Sequence, residues 1–170
     1  MAILSTVLGG GMSSRLFQEV REKKGLAYSV YSFSSSYTDC GVFGIYAGTG
    51  QAESKSLVNT LFDTLANTQK TLSLEEMERA KNQLKASLLM SQESTTSRCK
   101  RHATNLLLLG KILPQEELIQ KVDAVSIETV RHTLMALLNT PLTVVSIGPS
   151  QELPEYDTLI QKKETLVEAA

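Results

Sequence analysis

The sequence predicts an α+β domain in which helices pack on one face of an antiparallel sheet. Three observations point there. Two stretches rich in Tyr, Val, Phe and Ile, Leu26–Tyr37 and Gly41–Gly48, flank a turn at Thr38-Asp39-Cys40. A series of capped segments with helical apolar spacing follows them. A short apolar run, Leu142–Ile147, is bounded by Pro141 and Gly148-Pro149 and reads as a further strand.

Met1–Leu8 is apolar and runs directly into Gly9-Gly10-Gly11, so it reads as the end of a helix whose beginning is missing. Three glycines free the backbone and stop or kink that helix. Ser13 or Ser14 is placed to cap a second helix over Arg15–Lys24, with Leu16, Phe17 and Val20 on one face and Gly25 at its end. The hairpin comes next. Ser32, Ser34 and Ser36 fall on one face of its first strand, and Tyr31, Phe33 and Tyr37 on the other.

Leu57, Val58, Leu61, Phe62 and Leu65 form a stripe on a helix from about Ala52 to Gln69. Ser73-Leu-Glu-Glu76 is a capping box opening a helix with Met77, Ala80, Leu84 and Leu88 inside. Thr95 or Thr96 caps a helix that Gly110 stops after Leu109. Pro114 opens a short one through Val122, and Ser126 caps one ending near Leu138. Glu155–Ala170 reads as a helix or a fraying tail, so the domain occupies 1–150 and 151–170 is an appendage.

The 170 residues suit one domain, and 42% hydrophobic with 21% charged residues suits a packed globule. Lys plus Arg number 17 against 18 Asp plus Glu, so no global basic field attracts a nucleic acid. No apolar run reaches the roughly 20 residues that span a bilayer, so no membrane partner is expected. Two cysteines, Cys40 and Cys99, cannot form a disulfide framework. With no basic leader before the first apolar residues, they favour a reducing compartment, and a bacterial cytoplasm ahead of periplasm or mitochondrial matrix.

Chemistry is sparse. His102 and His132 lie thirty positions apart and neither sits in a zinc-peptidase motif. Cys99 and His102 share a helix face, but they are half a metal site, so no metal is assigned to this chain. Gly9–Ser14 before a helix has the makings of an anion cradle with Arg15 assisting; a break between helices explains it more simply. The basic groups at Arg15–Lys24 and Arg98–Arg101 are diluted by glutamates and read as solvated faces.

One pairing stands apart. Arg21 lies in the last turn of its helix and Tyr28 at the start of the next strand, with the Gly25 turn between. Arginine offers a fork of donors to a carbonyl or carboxylate, and a phenol can donate to a developing oxyanion. Neither activates water unaided. By pattern alone the plainer reading, a surface arginine and a half-buried tyrosine, comes first.

The stretch from Leu8-Gly-Gly-Gly-Met-Ser-Ser-Arg-Leu-Phe through Arg21-Glu-Lys-Lys-Gly-Leu-Ala-Tyr28 to Tyr31 closely resembles the C-terminal half of the M16B zinc peptidases. That group includes mitochondrial processing peptidase, within the pitrilysin and insulinase clan. Gly44-Ile-Tyr-Ala-Gly48, Glu78-Arg-Ala-Lys-Asn-Gln-Leu-Lys85 and Leu142-Thr-Val-Val-Ser-Ile-Gly-Pro149 extend the likeness over residues 1–149. The resemblance implies a LuxS/MPP-like metallohydrolase half-domain that lacks its first strand. It implies a partner half carrying H-x-x-E-H and the zinc, on the same polypeptide or another subunit. Arg21 would orient an extended peptide substrate and Tyr28 would help stabilise the tetrahedral intermediate. Gly9, Gly10 and Gly11 are weaker candidates for substrate contact. The chain alone is expected to be inactive, and an unpaired sheet edge is expected to favour homo-oligomers. The competing implication is a non-catalytic M16-like structural subunit of the respiratory core-protein type.

Overall fold

A computed structural model describes residues 1–168. The chain forms a two-stranded antiparallel hairpin, β1 (Ser29–Ser36) and β2 (Gly41–Gly48), with helices gathered against one face. The helices are α1 (Ala2–Gly9), α2 (Ser54–Thr71), α3 (Leu74–Met90), α4 (Thr95–Leu109), α5 (Gln115–Asp123), α6 (Ile127–Leu138) and α7 (Tyr156–Glu168). Between α1 and β1 the segment Phe17–Lys23 winds as a π-helix rather than the α-helix expected from its spacing.

The hairpin register pairs Val30 with Ala47, Ser32 with Ile45 and Ser34 with Phe43 on the face turned to the helices. α1 lies across that face. A methyl group on Gly9 would stand 2.2 Å from the Ser32 backbone nitrogen, so only glycine permits this approach. The Ser32 hydroxyl completes the contact by donating to the Ser5 carbonyl at 2.7 Å. Ile3, Leu4, Val7 and Leu8 of α1 then meet Leu16, Val20, Met77, Ala80, Val130 and Leu134 in one core.

α3 carries the expected capping box: the Glu76 N–H donates to Ser73 Oγ, and the Ser73 N–H donates to Glu76 Oε2 at 3.0 Å. The same carboxylate accepts a bidentate pair of bonds from Arg15, both at 2.7 Å, while Arg15 also donates to the Thr71 hydroxyl and carbonyl at 2.9 Å. Arg15 is thus committed to the α2–α3 junction and not to an anion in the glycine run. Further along α3, Lys81 donates to the Asp123 carbonyl at 3.0 Å and Lys85 pairs with the Asp123 carboxylate at 2.8 Å. These cations sit where the last turn of α5 presents its free carbonyls.

Four expectations need correcting. Neither Ser13 nor Ser14 caps a helix; Gln18 instead reaches back to the Met12 carbonyl at 2.7 Å. α4 is capped by Ser94 rather than Thr95 or Thr96. The buried line of α2 is Ser54, Leu57, Thr60, Thr64 and Thr68, not the leucine stripe, whose Leu61, Phe62 and Leu65 pack beside the core half-buried. Each of the three threonines returns its hydroxyl proton to the carbonyl four residues back, so a small side chain buries without an orphaned donor. Finally, Leu142–Ile147 forms no strand: among the described residues no strand pairs with it, its Leu142 carbonyl accepts instead from the Tyr156 hydroxyl at 2.6 Å, and Val145 and Ile147 are 81% and 98% exposed. Apolar composition supplied strand propensity but no partner. The terminal segment is helical through Glu168, with Leu159 and Leu166 buried, and 169–170 lie outside the described residues.

Two consequences are measurable. Gly9→Val should lower unfolding free energy by about 3 kcal/mol in urea titration, because β1 must back away from α1. The Arg15 hydrogen bonds hold the Glu76 carboxyl at about 2, against an ordinary 4.5. A carboxylate with a lowered folded-state pKa stabilises fully above its unfolded value, and this is lost as pH falls through the folded value. Glu76→Gln should therefore cost about 1–2 kcal/mol at neutral pH. The gap from wild type should narrow between pH 4.5 and 2.

Candidate functional site

The π-helical segment, the Gly25 turn and the start of β1 form one continuous ledge. Gly25 adopts φ +59, a conformation that favours glycine. Its N–H donates to the Arg21 carbonyl at 3.2 Å, and the Leu26 N–H donates to the Val20 carbonyl at 2.8 Å. Val20 and Ala27, on either side of the turn, are buried and anchor it. Arg21 and Tyr28 are left on the outer surface.

The two side chains meet. The Arg21 guanidinium carbon lies 4.5 Å from the centre of the Tyr28 ring and 4.8 Å from that of Phe17. The cation lies over both aromatic rings, each such contact contributing about 0.5–1 kcal/mol at an exposed site. Among the described residues its one carboxylate neighbour is Glu22, at 3.7 Å, too long for a hydrogen bond. Stacking holds the guanidinium plane without using its N–H donors. Tyr28 is 82% exposed, so its hydroxyl is open to a ligand. Phe17 escaped the sequence reading because its apolar spacing placed it with Leu16 and Val20 as core. The wider π-helical turn is what separates it from them.

The neighbouring cations are otherwise engaged. Lys23 pairs with Glu19 at 2.6 Å, and Lys24 donates to the Thr60 hydroxyl at 2.9 Å. Of the glycine run, Gly9 is packed beneath β1, whereas Gly10 and Gly11 are exposed. The Gly10 carbonyl accepts from the Gln83 amide at 2.5 Å. Cys40 and Cys99 are free and exposed, on the hairpin turn and on α4. His102 lies half-buried on α4 and His132 exposed on α6. Among the described residues no group of three or more His, Cys, Asp or Glu side chains is placed to hold a metal ion. The donor set therefore does not fit zinc in this chain.

Residues 1–84 match the family model described as the peptidase M16 inactive domain. An uncharacterised zinc protease of Bacillus subtilis is 44% identical over 155 residues, covering 91% of this chain and 38% of that protein. One from Rickettsia felis is 38% identical over 148 residues, covering 87% and 36%. Among solved structures, a peptidase M16 inactive domain from Pseudomonas fluorescens superposes with a TM-score of 0.65 at 25% identity, over 78% of this chain and 32% of that one. A chain of complex III2 from Candida albicans shares the fold, with a TM-score of 0.77 at 18% identity over 95% of this chain and 41% of that one.

The chain belongs to the M16 zinc-peptidase family and is its non-catalytic, C-terminal type of half-domain. It spans less than two fifths of the length of these two zinc-protease relatives.

Because the pair depends on the Gly25 turn, Gly25→Ala should destabilise the fold by about 1 kcal/mol through left-handed backbone strain. In chemical-shift maps the perturbation should spread to the ring signals of Phe17 and Tyr28.

Proposed function

We propose that this chain is the substrate-binding half of a zinc-dependent endopeptidase, inactive alone and completed by a zinc-bearing M16 half. The observation that carries the reading is the Arg21–Tyr28 pair: a caged guanidinium and an open phenol, seven positions apart on one exposed ledge. Zinc in the partner half would supply the activated water and polarise the scissile carbonyl. Arg21 would hold a backbone carbonyl or carboxylate of an extended peptide through N–H groups that no acceptor among the described residues occupies within hydrogen-bond distance. Tyr28 would donate its phenolic proton to the oxygen that gains charge as the carbonyl becomes tetrahedral. Gly10 and Gly11 enter the proposal only as a weaker candidate contact, and Gly9 as the residue that seats β1. The curated relatives cited above are bacterial, which supports a bacterial setting, and within it the cytoplasm is the compartment proposed. No helix of the described residues is long and apolar enough to cross a membrane.

The test is peptidase activity on an unstructured peptide with zinc, for this chain alone and with a separately expressed zinc-bearing half. The chain alone should be silent and the mixture active. Tyr28→Phe should lower kcat about 100-fold. Arg21→Ala should act mainly by raising KM. If the halves associate yet the mixture stays inactive, the chain is instead a structural M16-like subunit and the pair is an inherited surface feature.

A further inference from the structure

The outward face of the hairpin carries a second feature that catalysis at Arg21 and Tyr28 does not use. Tyr31 and Tyr46 are directly opposite across the strands, with ring centres 5.0 Å apart and planes inclined by 27°. Phe33, two residues along β1, lies 6.4 Å from Tyr31. Its cross-strand partner is Gly44, and a Cβ there would stand 2.3 Å from the Phe33 ring. The glycine therefore lets Phe33 lie flat over β2. Tyr31, Phe33 and Tyr46 are 45%, 44% and 48% exposed, which makes them a floor of aromatic faces rather than core.

We propose that this floor is a subsite for apolar and aromatic side chains of the extended peptide substrate, adjoining the Arg21–Tyr28 pair; it rests on the reading of the chain as a peptidase half. Four arguments select that occupant. The floor begins three residues beyond Tyr28, about 10 Å of extended chain, so a peptide that passes the strand entrance and crosses onto the outward face reaches it within a few residues. The 6.4 Å between Tyr31 and Phe33 matches the two-residue repeat of an extended strand, so same-side peptide side chains arrive at the ring spacing. The outward positions Ser29, Tyr31, Phe33 and Ser35 on β1 face Gly48, Tyr46, Gly44 and Val42 on β2, with no charge among them. Stacked nucleobases would need a basic rim that these positions lack. Finally, three half-exposed rings offer about 300 Å². A stable protein interface needs about 800 Å² from each partner, so the floor is scaled to a segment of peptide.

The test uses the active two-half enzyme and a set of unstructured peptides differing only in one residue, Phe, Leu, Ser or Gln, scanned on either side of the cleaved bond. Tyr31→Ser with Phe33→Ser, and Tyr46→Ser alone, should lower kcat/KM for the Phe and Leu peptides about tenfold, mostly through KM. The Ser and Gln peptides should change less than about twofold. Tyr31→Phe should restore the preference. An equal effect on all peptides, or none, overturns the subsite while Arg21→Ala still reports on the peptidase reading. If no mixture is active, ring signals of Tyr31, Phe33 and Tyr46 in this chain are followed on adding the Phe and Ser peptides. Selective shifts with the Phe peptide support the subsite, and equal or absent shifts overturn it. A change in sedimentation of the variants without a change in peptide preference assigns the floor to pairing of chains and also overturns it.

Discussion

Three segments of chain meet at the Arg15 guanidinium. It leaves the glycine run, grips both oxygens of Glu76 at the head of α3, and reaches the last carbonyl and hydroxyl of α2 at Thr71. One planar fork therefore fixes where α2 ends, where α3 begins and where the π-helical segment starts. A bidentate Arg–carboxylate pair specifies direction as well as distance. Lysine, a point charge on a flexible stem, would not. The pair is only partly exposed, with side-chain exposures of 15% and 22%, so it is less screened than an open surface bridge. Everything downstream inherits this placement: the position of Phe17, hence the cage around Arg21, hence the reach of Tyr28.

The second determinant is steric. Gly9 lets α1 rest on the backbone of β1, and this sets the hairpin with Phe43, Ile45 and Ala47 inward. Register then dictates the other face, since a strand alternates its side chains. Tyr31, Phe33 and Tyr46 point outward because Val30, Ser32 and Ile45 must point in. A helix–sheet contact at one glycine and an exposed aromatic floor are thus the two sides of a single constraint.

Much of this was legible in the chain. The capping box at Ser73–Glu76, the stop at Gly110, the hairpin and its alternation all follow from local chemistry, and the structure contains them. The Arg21–Tyr28 spacing was legible, but the stacking that joins them was not, because Phe17 counted as core on an α-helical period. What failed had non-local causes. The threonine line of α2 looks polar in sequence and becomes a packing face only because each hydroxyl bonds its own helix. Leu142–Ile147 has the composition of a strand, yet pairing is a property of two segments. α4 ends in four consecutive leucines, Leu106–Leu109, yet has no buried residue, with Leu107 85% exposed. Burial too depends on what lies opposite.

On the proposed reading, the chemistry of the ledge suits half of a site. Arginine stays protonated and cannot serve as a base. A neutral phenol can give a proton in a hydrogen bond but does not draw one from water at neutral pH. Stacking Arg21 over two rings sharpens its position without supplying a nucleophile, and the nearest carboxylate among the described residues, Glu22, is too far to accept a hydrogen bond from it. What the ledge offers on that reading is donors fixed in place, an arrangement suited to a carbonyl of an extended peptide. Donors of this kind accelerate a reaction only where charge develops within their reach. On the proposed reading the nucleophile would approach the bound carbonyl from the side this chain leaves open, which would be the geometric reason for two halves facing each other.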